Sequence, residues 1–178
     1  MDFAEKKVRS DYKFYGKIIN VRVDDALLPN GKPCKREVCE HVGGVGILPI
    51  DENRMVTLVR QYRYPYETTT LEIPAGKMDQ GPEEALECGR RELEEETGLR
   101  AGQMIPMGEL WPSPGFMTER LRLFCAKDLT QGEVHPDDDE FIEIVRMPFD
   151  ELCQRVVSGE IHDAKTVAAV GKALLMNL

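Results

Sequence analysis

GKMDQGPEEALECGRRELEEETGL, residues 76–99, decides how the rest of the chain is read. Pro82 suits a first helical turn, where a missing N–H costs nothing, and Glu83 and Glu84 complement the positive end of the helix dipole. Gly98 is placed to be the left-handed residue that ends the helix. Leu86 and Leu93, seven apart, share a stripe expected to face the core. Glu92, Glu95 and Glu96 stand at i, i+3 and i+4, so their carboxylates share one face. Like charges at that spacing repel by roughly 0.2–0.5 kcal/mol per pair. A bound cation would offset the repulsion, and hard divalent ions favour carboxylate oxygens. The same stripe continues through Ala85, Cys88 and Gly89, small residues that would leave room for a close ligand. Glutamate-rich helices are also ordinary solvated faces, so the surrounding pattern has to decide.

The composition narrows the field. The 178 residues suit one main domain with room for a small appendage, and 42% hydrophobic against 31% charged content is ordinary for a soluble globular protein. No apolar run approaches the roughly 18 residues of a transmembrane helix. The N-terminus MDFAEKKVRSDYKFYG lacks the apolar core of a signal peptide, and cytoplasm is the expected location. Five scattered cysteines (Cys34, Cys39, Cys88, Cys125, Cys153) read as reduced thiols, without the close spacing of a zinc site. A net charge of −9 argues against a nucleic-acid surface.

Working outward, residues 13–28 alternate as one or two strands, Pro29–Lys32 is an Asn-Gly turn, and REVCEHV from Arg36 is a further strand. Together they predict a small antiparallel sheet over 1–42. GVGILPI (44–50) and MVTLVRQYRY (55–64) read as strands around the turn DENR. Leu71–Ile73 is short and extended. Beyond the glutamate helix come strands near 104–111 and 121–126, then EFIEIVRM. Two helices close the chain: PFDELCQRVVS, ended by Gly159, and 162–176 with Val167, Val170 and Leu174 inward. This order predicts a mixed α/β sandwich.

RELEEETGL at 91–99 fits Arg-Glu-apolar-x-Glu-Glu-x-Gly-apolar. It follows Glu83 by seven residues, and a loop from Gly76 precedes both. The pattern resembles the Nudix box, the signature of hydrolases that cleave nucleoside diphosphates linked to another group. Six residues separate Gly76 from Glu83 where the family has five, so Pro82 falls at the expected Glu position and a one-residue insertion is implied. The resemblance implies a Nudix-type α/β/α sandwich of mixed sheet over 43–178. It further implies an activity like that of bacterial ADP-ribose pyrophosphatases, converting ADP-ribose and water to AMP and ribose 5-phosphate. GDP-mannose, ADP-glucose or a non-catalytic nucleotide sensor are the alternatives.

It also implies a site. Glu92, Glu95, Glu96 and the Ala75 carbonyl would hold Mg²⁺, with Mn²⁺ a possible substitute, and Arg91 would orient the glutamates. Glu140, in the acidic stretch HPDDDEFIEI, matches the loop glutamate that serves as general base or further metal ligand. Arg63 sits where relatives contact phosphate or ribose; Arg60, three residues away on the same strand, should point to the opposite face. Pro114, sixteen residues after Gly98, is the proline marker of the ADP-ribose branch, and Glu119 falls at its ribose-contacting glutamate. The N-terminal sheet would build a homodimer and supply aromatics to the adenine, with Tyr12, Phe14 and Tyr15 available. The partner is thus a small nucleotide sugar, not a nucleic acid or a membrane.

Overall fold

The computed structural model describes residues 2–78, 84–132 and 141–178, which divide into two compact units, Met1–Gly43 with Trp111–Arg120, and Gly44–Leu110 with Leu121–Leu178.

The first unit is an antiparallel sheet of β1 (Lys6–Tyr15), β2 (Asn20–Leu27) and β3 (Pro33–Glu40), in that order. The Asn-Gly turn forms as expected: Gly31 takes φ 80°, and its N–H donates to the Leu28 carbonyl at 2.8 Å. β3 begins at Pro33, three residues before the expected Arg36. The loop 111–120 lies along it, with the Cys39 N–H donating to the Phe116 carbonyl at 2.8 Å. The loop turns through the Phe116 and Met117 N–H groups, which donate to the Ser113 carbonyl, and Gly115 within that turn takes no positive φ.

In the second unit, β4 (Gly44–Pro49), β5 (Met55–Arg63), β6 (Thr68–Glu72), β7 (Ala75–Lys77), β8 (Leu99–Leu110), β9 (Leu121–Gln131) and β10 (Glu143–Pro148) form two sheets. One has the order β7-β4-β9-β8, the other β10-β5-β6. The pairing of β4 with β9 is parallel and the rest antiparallel, so the larger sheet is mixed. Three helices accompany them: α1 (Ala85–Thr97), α2 (Phe149–Ser158) and α3 (Ala164–Met176).

The period of two explains the layering. On β4, Val45 and Ile47 join Phe124 and Ala126 of β9 in a core beneath α1. Leu48, Leu123 and Cys125 point the other way, into a core with Phe149 and Leu152 of α2 and Ala169, Val170 and Ala173 of α3. β4 is therefore buried on both faces, which is why its sequence is an unbroken apolar run. The α/β/α sandwich is as expected.

Four expectations are corrected. The central helix starts at Ala85 with Glu84 as N-cap, while Pro82 and Glu83 lie outside the described residues. Leu86, in the first turn, is 38% exposed; only Leu93 of the expected pair is buried, and the inward stripe is Cys88, Gly89, Leu93, Glu96 and Thr97. A Cβ on Gly89 would stand 3.2 Å from Met104 and 3.6 Å from Ile47. The small residues thus let helix and sheet approach closely, and leave no room there for a ligand. In α3, Val170 faces inward, but Val167 and Leu174 are exposed, and Lys165, Thr166, Ala169 and Ala173 are buried instead. The inward face is set by polar contacts of Lys165 and Thr166, described below.

Candidate active site

The C-terminal half of α1 lies against β7, and two of its glutamates end on consecutive residues of that strand. Glu96, only 3% exposed, accepts a hydrogen bond from the Ala75 N–H at 3.0 Å. The Glu92 carboxyl rests on Gly76 so closely that a Cβ there would overlap it. Only glycine admits that approach. Four residues apart on a helix, Glu92 and Glu96 are thereby gathered onto one short piece of backbone.

Arg91 holds the neighbouring charge. One of its nitrogens, Nη1, lies 2.9 Å from Glu92 Oε1 and donates to Glu95 Oε2 at 2.6 Å, while Nη2 is 3.6 Å from Cys88 Sγ. Glu95, more exposed than Glu92 or Glu96, is held towards Arg91. Cys88 is fully buried, its thiol 3.6 Å from the Lys77 carbonyl, a packing position and not that of a nucleophile.

Beneath the bend joining β6 and β7 is a buried ionic network that sequence reading did not single out. Glu72, 2% exposed, takes a two-point contact from Arg63, with Nε at 2.7 Å and Nη2 at 2.6 Å. It also accepts from the Thr70 hydroxyl at 2.6 Å and from Lys165 Nζ. Lys165 in turn reaches Asp163 Oδ1 at 2.9 Å. Burial raises the Glu72 pKa, but the hydrogen bonds and charges of Arg63 and Lys165 outweigh it and bring it from 4.5 down to about 2. A depressed carboxyl pKa stabilises the fold above the unfolded value, and that stability is lost as pH falls through the folded one. Worth about 3 kcal/mol at neutral pH, it should erode between pH 4.5 and pH 2. Urea unfolding at pH 7 and at pH 3 would show the loss, and Glu72→Gln should start less stable and lose less over that interval.

Arg63 keeps a 39% exposed side chain, and the negative charge of Glu96 acts on it. Arg60 leaves the other face of β5, 3.3 Å from Glu143, as strand alternation requires. Pro114 and Glu119 belong to the first unit. Pro114 is exposed there, and Glu119 lies 3.4 Å from His41 Nδ1. Glu140 lies outside the described residues.

The donor set suits a hard divalent cation. The Glu92 carboxylate abuts Gly76, whose missing side chain makes the approach possible, the nearly buried Glu96 meets Ala75 beside it, and hard cations favour such carboxylate oxygens. Among the described residues, no three acidic, His or Cys side chains already close around one point. Glu92 and Glu96 are therefore the core of the set, and other oxygens would complete it.

The NUDIX domain model matches residues 40–170 of this chain. The chain belongs to the Nudix family. Divalent-metal dependence is general in that family, in keeping with the donors at β7 and α1. Among similar proteins is a methanol dehydrogenase activator of Bacillus methanolicus, 39% identical over 94% of this chain and 91% of its own length. An ADP-ribose pyrophosphatase of Bacillus subtilis is 39% identical over 93% of this chain and 90% of its own. A GDP-mannose pyrophosphatase of Pectobacterium atrosepticum is 34% identical over 98% and 94%. The fold matches the crystal structure of an ADP compounds hydrolase with a TM-score of 0.85 at 22% identity, over 97% of this chain and 93% of that one. The Nudix fold read from residues 76–99 is the fold found.

Proposed function

We propose that this Nudix hydrolase cleaves the diphosphate bond of ADP-ribose to AMP and ribose 5-phosphate, with Mg²⁺ as its metal. The observation that carries the reading is the seating of Glu92 and Glu96 on Ala75 and Gly76. The similarity to an ADP-ribose pyrophosphatase across almost the whole chain supports the substrate. GDP-mannose is the second reading, favoured by the relative of that name.

Glu92 and Glu96, with Glu95 beside them, would hold the metal, joined by the Ala75 carbonyl. A divalent cation held by these oxygens would supply charge to offset the diphosphate and would acidify a bound water. Arg91 orients Glu92 and Glu95 through charge-assisted hydrogen bonds, and touches no substrate. Arg63 presents to a phosphate oxygen the guanidinium edge that Glu72 does not occupy. Glu140 takes the proton of the attacking water. Pro114 stiffens the loop that receives the sugar, and Glu119 binds ribose. The N-terminal sheet serves as the contact of a cytoplasmic homodimer, and its stacked Tyr12 and Tyr15 rings, 5.0 Å apart, supply aromatic surface for the adenine. In the described residues no helix is long and apolar enough to cross a membrane.

Release of AMP from ADP-ribose with Mg²⁺, and none after chelation, is the expected result. A panel including GDP-mannose and ADP-glucose ranks the substrates by kcat/KM. A chain that binds ADP-ribose without releasing AMP would be a sensor instead. Glu140→Gln should lower kcat far more than it changes KM; a change confined to KM would move Glu140 to substrate binding.

A further inference from the structure

The strand that carries Ala75 and Gly76 is entered through Ile73 and Pro74, which belong to neither β6 nor β7. This bend is short of ladder hydrogen bonds, and Pro74 has no N–H to give. Its carbonyl accepts from the Ile47 N–H at 2.8 Å, an anchor to the sheet. The other anchor comes from far along the chain. The Ile73 N–H donates to Thr166 Oγ1 at 2.9 Å, and both residues are fully buried. That hydroxyl spends its own hydrogen on Asp163 Oδ2 at 2.6 Å, so it is fixed as an acceptor towards Ile73. One residue before the bend, Glu72 is held by Lys165, whose stem passes 3.7 Å from the Cβ position of Gly46.

Lys165 and Thr166 are therefore a buried polar pair on the first turn of a helix that is apolar apart from them and Lys172, both directed at residues 72 and 73. Asp163 caps that turn through the Thr166 N–H at 2.9 Å and also takes the Lys165 ammonium, so helix start and bend are tied by one set of bonds. Two residues beyond Ile73, the Ala75 N–H meets Glu96; three beyond, Gly76 meets Glu92.

We propose that Lys165 and Thr166 are positioning residues of the metal site, holding the bend 73–74 so that Ala75 and Gly76 meet Glu96 and Glu92. The proposal rests on the metal-site reading above. Groups that orient ligands from behind matter to affinity, and their loss weakens metal binding by about 10–100-fold. Thr166→Val keeps the volume and removes both hydroxyl bonds; Thr166→Ser keeps them; Lys165→Met removes the ammonium and keeps most of the stem.

The test is Mn²⁺ binding to the nucleotide-free protein, read from the electron paramagnetic resonance of free Mn²⁺, with melting curves alongside. Thr166→Val and Lys165→Met should bind Mn²⁺ about tenfold more weakly or worse, and Thr166→Ser should bind close to the parent. Turnover by the weakened variants should recover when Mn²⁺ is raised, a rescue that simple loss of folding would not give. If Thr166→Val fails to fold, Lys165→Met and Thr166→Ser carry the test. Parent-like Mn²⁺ affinity in the folded variants would overturn the positioning role and leave the proposed function standing. No Mn²⁺ binding by the parent protein would overturn both.

Discussion

Glu96→Gln should lose about 10³-fold in kcat with ADP-ribose, roughly 4 kcal/mol of barrier. The exchange is nearly isosteric. An amide oxygen can still accept from the Ala75 N–H, the contact that Glu96 makes at 3.0 Å, so β7 and α1 keep their packing. What disappears is a negative oxygen at a nearly buried position, and with it the attraction that would hold a divalent ion against the strand. The melting temperature should stay near that of the parent or rise, because removing one of two neighbouring carboxylates relieves repulsion. Turnover within a few-fold of the parent, measured with saturating Mg²⁺, would take Glu96 out of the metal site.

The second large effect comes from a methyl group. Gly76→Ala places a Cβ where the Glu92 carboxyl now lies. The backbone of Gly76 is outside the left-handed region, so alanine is not strained there by its own geometry. The obstacle is the end of a side chain, which can swing aside, and stability should change little. Activity should not be spared. A carboxylate moved by an ångström or more would no longer meet the ion proposed to sit between it and Glu96, and a displacement of that size costs about 10²-fold in rate. Metal affinity and kcat should therefore fall together while the melting curve barely moves. Were Glu92 only a solvated charge, the same variant would be kinetically silent.

Local chemistry made the box helix legible. Its glutamate spacing and its Gly98 cap with φ 71° are both readable within one segment. β4 was equally plain, because a strand covered on both faces is apolar throughout. The turn at Gly31 follows from a single dipeptide. What stayed hidden depends on residues distant in sequence. Glu72 sits between Leu71 and Ile73, and alternation alone would turn it to water; a lysine 93 positions away turns it into a buried, doubly paired charge. The same contact explains the error in α3. Its valines and leucines suggested one inward face, but the bonds of Lys165 and Thr166 rotate the helix to present smaller residues, Ala169 and Ala173 among them. Polar anchors outweighed the hydrophobic pattern because a buried, unmade hydrogen bond costs about as much as a buried methyl or two gains. The small residues Cys88 and Gly89 were read as space for a ligand, and the sheet occupies it.

Crystals grown with Mn²⁺ and a non-hydrolysable analogue of ADP-ribose would test the central claim most directly, through the anomalous scattering of manganese. A peak is expected within coordination distance of Glu92, Glu96 and the Ala75 carbonyl, with the diphosphate of the analogue on its open side. Manganese found elsewhere, with both carboxylates turned to solvent and the diphosphate away from them, would contradict it.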